Sequence, residues 1–188
     1  MCEYGKTCSL LYLFQDDRFS KALSAYNALH QTDIMCLKPL QEMALSALTN
    51  GSDCICCLPT GFGKSLIYEI LPFVDPKSLI IVVVPLNAII VQQVKKLGSI
   101  TIVLSKKANI PIKDVSDGCV KFIFSHPEDI LNNRKVIHFF GLPIIKGLNK
   151  YLVIDEAHCI LDWELQRYCK TKRYDPVSRL LVAFYDSY

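Results

Sequence analysis

At 188 residues, 51% of them apolar, the chain is long enough to bury one substantial core and is about one domain by length. A net charge of +3 and a pI near 8.3 tolerate a nucleic-acid partner without arguing for one. The longest oily run, LIIVVVPLNAIIV at 79–91, is interrupted by Pro85 and Asn87 and falls short of the ~20 apolar residues a membrane helix needs, which excludes a membrane-spanning reading of that segment.

The N-terminal LLYLF at 10–14 lacks the small-residue cleavage pattern of a signal peptide, so a soluble intracellular protein is expected. Residues 16–31 carry Phe19, Leu23, Tyr26 and Leu29 at helical spacing, with acids in the first turn where the helix dipole favours them. After Lys38 and Pro39, LQEMALSAL repeats the helical pattern, and NGSD at 50–53 stops it. Strands and helices then alternate: strand 54–58, helix 64–71, strand 79–84, helix 87–97, strand 100–104. A polar loop over 105–118, strand 120–125, helix 127–140 and strand 151–154 follow, and the final apolar run at 180–188 has strand character. Val/Ile-rich strands separated by helices belong in a mainly parallel sheet covered on both faces, an α/β fold. Of nine cysteines, Cys54 and Cys57 have C-x-x-C spacing, but the count is odd and no second pair stands at zinc spacing. Small, buried core thiols are expected there.

The strand at 54–58 runs through PTGFGKS into a helix. In that setting Gly61 and Gly63 permit positive φ and close backbone approach, so successive N–H groups can meet phosphate oxygens, assisted by the helix N-terminus. Lys64 would reach the β and γ phosphates of ATP and Ser65 would ligate Mg²⁺. Leu58 stands where the strict G-x-x-x-x-G-K-[ST] pattern has its first glycine. In YLVIDEAH, four apolar residues end in Asp155 and Glu156, at the strand end where ligands bind in open α/β sheets. Asp155 would hold Mg²⁺ through water, and Glu156 would orient and deprotonate the attacking water.

Together PTGFGKS, DEAHC, KPLQ, VVVPL and FSHPEDIL resemble the first motor domain of RecQ-like DNA helicases of superfamily two, over about residues 37–163. The resemblance implies a RecA-like P-loop domain at 37–188, preceded by a helical extension at 1–36. It implies a nucleotide site of Lys38, Gln41, Pro59, Thr60, Gly61, Phe62, Gly63, Lys64 and Ser65, in which Gln41 reads the adenine edge; the lesser alternative, from composition alone, is a solvated helix residue. It places Pro85 and Leu86, and Ser125, Pro127 and Glu128, on loops along a DNA backbone, although VVVPL by itself is a strand terminated by proline. His158 resembles the residue linking the ATP site to a second motor domain, and is otherwise a satisfied polar side chain. Trp163 matches the opening of an aromatic-rich loop that senses single-stranded DNA; ELQRYCKTKRYD, which follows, lacks the family's Phe-Arg-Pro.

The expectation is therefore an ATP- and Mg²⁺-binding motor domain of a 3′-to-5′ DNA helicase acting on single-stranded or forked DNA, nuclear in a eukaryote. The second RecA-like domain and its arginine finger are expected to be missing from this chain, which reads as a truncated, alternatively spliced or degenerate first motor domain. A catalytically silent nucleotide-binding module is the alternative, and an RNA-directed ATPase is a third reading that PTGFGKS and DEAHC disfavour.

Overall fold

The structure, a computed structural model, describes residues 16–59, 61–105, 109–131, 133–155 and 179–185. Six parallel strands form one sheet: β1 (Cys54–Leu58), β2 (Ser78–Val83), β3 (Thr101–Leu104), β4 (Phe122–Ser125), β5 (Asn149–Ile154) and β6 (Arg179–Tyr185), in the order β1-β6-β5-β2-β4-β3. The final apolar run thus lies inside the sheet, between β1 and β5.

Alternation along the central strands divides the core. Ile80, Val82, Phe122, Phe124 and Val153 face one layer with α1 (Asp17–His30), α2 (Pro39–Thr49), α3 (Lys64–Val74) and α4 (Asn87–Leu97). Leu79, Ile81, Val83 and Ile123 face the other, with Val115 of α5 (Ile112–Ser116), Ile130 of α6 (Pro127–Leu131), Val136 and Phe139 of α7 (Arg134–Gly141) and Ile145 of α8 (Pro143–Lys146). With both faces covered, every residue of β2 is buried, and its sequence is continuously apolar from Leu79 to Val83. Among the described residues no helix is long and apolar enough to cross a membrane.

Four local expectations are corrected. The stretch expected as one helix over 127–140 is two, because the Asn133 side chain accepts from the Lys135 N–H at 3.0 Å and starts α7 afresh. The loop at 105–118 contains the short α5 after Pro111. Helix α3 continues past Pro72 to Val74, where the Asp75 N–H closes it on the Leu71 carbonyl at 2.8 Å and Phe73 and Val74 pack on the core. Leu29 is 56% exposed, while Phe19, Ala22, Leu23 and Tyr26 form the buried stripe of α1.

The cysteine expectation holds only for Cys56. Cys54 and Cys56 share a face with sulfurs 3.5 Å apart, but Cys54 is half-buried and Cys57 exposed, because β1 is an edge strand.

Candidate functional site

The carboxyl ends of β1, β2, β4 and β5 lie on one edge of the sheet, aligned by the pairs Val83↔Ser125 and Val83↔Ile154. The turn after β1 leads into α3. Gly61 has φ of 76° and Gly63, the N-cap of α3, φ of 90°, both in the left-handed region that favours glycine.

Three side chains hold this turn. The Gln41 carboxamide, 2% exposed, donates from Nε2 to the carbonyls of Gly63 (2.9 Å) and Phe62 (3.2 Å), while its Oε1 accepts from the Lys38 N–H at 2.8 Å. Lys38, the N-cap of α2, donates from Nζ to the Phe62 carbonyl at 2.9 Å, and its ammonium stands 4.4 Å from the centre of the Phe62 ring. Lys64 donates from Nζ to the carbonyls of Leu58 (2.8 Å) and Pro59 (3.3 Å).

Because a trans peptide sets its C=O and the following N–H antiparallel, carbonyls of Phe62 and Gly63 drawn toward Gln41 turn the N–H groups of Gly63 and Lys64 the opposite way. Those amides lie at the start of an 11-residue helix, beside the Lys64 ammonium. The Phe62 ring packs on the core and faces the Lys38 ammonium.

Ser65 lies half-buried in the first turn of α3. Asp155, 8% exposed, follows β5 immediately, and its N–H donates to the Val83 carbonyl at 3.0 Å. Tyr68, one turn beyond Ser65 and fully buried, records the proximity: burial, then the Asp155 charge, then the Glu69 charge push its phenol well above the ordinary range. Asp155 thus lies close to Tyr68, one helical turn beyond Ser65, at the same sheet edge as the turn after β1.

The strand exits also carry the positions expected to follow a polynucleotide backbone. Pro85 is half-buried and Leu86 57% exposed; Pro127 is buried and Glu128 exposed. Ser125 does not fit that expectation: it is fully buried in β4, and its hydroxyl donates to the His126 carbonyl at 2.9 Å. His126 and Asn87, which sequence reasoning passed over, occupy the edge instead; no periodicity marks them, and only the pairing of β2 with β4 brings them together. Thr60, Glu156, His158 and Trp163 lie outside the described residues.

Residues 38–183 match the sequence family described as DEAD/DEAH box helicase. The chain belongs to that family. Relatives of this helicase domain include the ATP-dependent DNA helicase Q5 of Rattus norvegicus, 35% identical over 136 residues (66% of this chain, 14% of the relative). The ATP-dependent DNA helicase Q-like 5 of Arabidopsis thaliana is 33% identical over 130 residues (65% and 14%). The RecQ-like DNA helicase BLM of Xenopus laevis is 32% identical over 133 (65% and 10%). The helicase domain therefore spans a minor part of the length of these relatives. In three dimensions it is similar to the DUF1998 helicase MrfA bound to DNA, with a TM-score of 0.57 at 21% identity, covering 90% of this chain and 25% of that one, a likeness of fold.

Proposed function

We propose that the domain binds ATP with Mg²⁺ at the turn between β1 and α3, as the first motor domain of a RecQ-like DNA helicase. One observation carries this reading: side chains from α2 hold the carbonyls of a glycine turn so that its amides and a helix start face one concavity, at the sheet edge where Asp155 ends β5. Lys64 would meet the β and γ phosphates, with Pro59, Thr60, Gly61 and Phe62 completing the loop. Ser65 and Asp155 would hold Mg²⁺, which when bound neutralises charge on the phosphates. Glu156 would orient the attacking water and take its proton. Adenine recognition by Gln41 exchanges its bonds to Lys38, Phe62 and Gly63 for the base, so nucleotide binding and loop position are linked through one side chain.

The names of the relatives support DNA as the polynucleotide, single-stranded or forked, running along the strand exits, with His158 and Trp163 as contacts that couple it to the nucleotide. A second RecA-like domain would supply an arginine finger for phosphoryl transfer. The alternative, a nucleotide-binding module without turnover, is favoured by the departure from the family's aromatic loop after Trp163.

Mg·ATP turnover, measured with and without single-stranded DNA on wild type and Lys64→Ala, tests the reading. ATP binding lost in Lys64→Ala, with turnover raised by DNA, is the expected result. Wild-type binding of ATP that Lys64→Ala leaves unchanged would overturn the site assignment, and ATP binding without turnover would establish the silent module.

A further inference from the structure

We infer that His126 is a positioning residue that yokes the loop leaving β2 to the loop leaving β4 and sets the spacing of the two exits along a polynucleotide backbone. The inference rests on the nucleic-acid reading proposed above and assigns to it a residue that the motif comparison did not.

Strands β2 and β4 pair in register to Val83↔Ser125, and the Val84 N–H adds one more bond to the Ser125 carbonyl at 3.0 Å. Beyond that point the β2 exit runs through Pro85, which has no N–H to give, and exposed Leu86. The His126 ring spans the gap. Its Nδ1 lies 3.1 Å from the Val84 carbonyl and its Nε2 2.8 Å from Oδ1 of Asn87, the first residue of α4.

The ring is itself anchored. The His126 carbonyl accepts the Ser125 hydroxyl at 2.9 Å and the Asp129 N–H at 3.1 Å, which ties its backbone to the first turn of α6. A carbonyl only accepts, so Nδ1 is the donor to Val84. The Asn87 carboxamide then meets Nε2 with its oxygen when the ring is an imidazolium, or with its NH₂ after a half-turn when the ring is neutral. The bridge joins the two exits through both ring nitrogens and acts as a fixed spacer.

Two loops offered to one backbone must keep their separation, since phosphates recur at a set interval along the strand. The buried Ser125 hydroxyl cannot reach that backbone, whereas the half-buried ring of His126 and the exposed Asn87 stand at the edge.

The test uses the full chain, wild type and the variants His126→Ala, His126→Gln, Asn87→Ala and His126→Ala with Asn87→Ala. The readouts are anisotropy of a labelled single-stranded oligonucleotide, affinity for a fluorescent ATP analogue, and amide hydrogen exchange over residues 84–90. His126→Ala is expected to weaken oligonucleotide binding by about tenfold, the loss of two hydrogen bonds, and to speed exchange at 84–90, with the ATP analogue bound as in wild type. His126→Gln, able to reach one of the two partners, should recover part of the affinity, and the double variant should bind no more weakly than His126→Ala alone. Wild-type oligonucleotide affinity in His126→Ala, or unchanged exchange at 84–90, overturns the yoke while the nucleic-acid reading stands. Absence of oligonucleotide binding by the folded wild type overturns that reading and the yoke with it.

Discussion

Gln41 and Lys64 spend their polar groups on the same short turn, one from α2 and one from within it, and the two are separable by substitution. Lys64→Ala removes an ammonium whose described bonds go to two loop carbonyls. It should weaken binding of an ATP analogue by more than about tenfold while the melting temperature stays within a few degrees of wild type, because on the proposed reading a charge-assisted phosphate contact is lost while no core is disturbed. Gly63→Ala should do both kinds of damage. At φ of 90° a Cβ is strained by ~1–2 kcal/mol, and it would stand 2.8 Å from the Gln41 Nε2, pushing off the side chain that aims the turn. Urea unfolding and analogue binding on one preparation check this; wild-type values of both would remove Gln41 as the brace. The left-handed turn at Gly61 and Gly63 was legible in the sequence because its backbone requirement is local. The brace was not, since it joins residues 21 and 22 positions apart.

At the level of elements, a buried carboxylate joins three helices. Glu69 of α3, fully buried, accepts the Tyr26 hydroxyl of α1 at 2.6 Å and the Lys96 ammonium of α4 at 2.9 and 2.7 Å. Burial, then the hydrogen bond and charge of Glu69, hold the Tyr26 phenol above its ordinary range. Because α3 starts at the glycine turn, this pin fixes the helix behind that turn. Glu69→Ala should cost about 2–3 kcal/mol, the loss of charged hydrogen bonds together with a stranded buried phenol. The Lys96 side chain is 39% exposed and can turn to solvent, which keeps the loss from being larger. A double-mutant cycle with Tyr26→Phe, followed by urea denaturation, should show coupling between the two sites, and strict additivity would rule out the pin. In the sequence Glu69 reads as an ordinary polar residue in an amphipathic helix; that it faces inward follows only from α1 and α4 both packing against α3.

For the whole molecule, the raised phenols and thiol give alkaline pH a direction. Burial, then the bond and charge of Cys54, push the Cys56 thiol from about 9 up to about 12, and Tyr68 lies well above its usual value. Such groups stabilise the folded state fully below their unfolded pKa, and that stabilisation is lost as pH rises toward the folded pKa. The thiol contribution should therefore be intact to about pH 9 and decline from there to about pH 12. Melting curves across that window should fall for wild type and fall less steeply for Cys56→Ala; identical slopes would show that the thiol does not stay buried and neutral. Translocation needs two domains that open and close around a nucleotide, and the described residues form one sheet. Residues 1–188 should bind ATP without displacing a strand from a 3′-tailed duplex, and robust unwinding by the monomer would overturn that.

What the sequence determined by itself is whatever one element expresses alone. Continuous Val/Ile runs announced parallel strands buried on both faces, PTGFGKS between a strand and a helix announced a left-handed glycine turn, and KPLQ with DEAHC led to the helicase family that residues 38–183 match. What the tertiary structure decided is whatever depends on which elements become neighbours. It inserted β6 between β1 and β5, made β1 an edge and so exposed Cys57, and broke the helix at 127–140 at a cap. It also withdrew Ser125 into the core, brought His126 to Asn87 across 39 positions, and turned Gln41 onto the glycine turn. The physical reason is the same throughout: hydrophobic periodicity and turn chemistry act over a few residues, whereas burial and hydrogen-bond partners are set by sheet order, to which local patterns are blind.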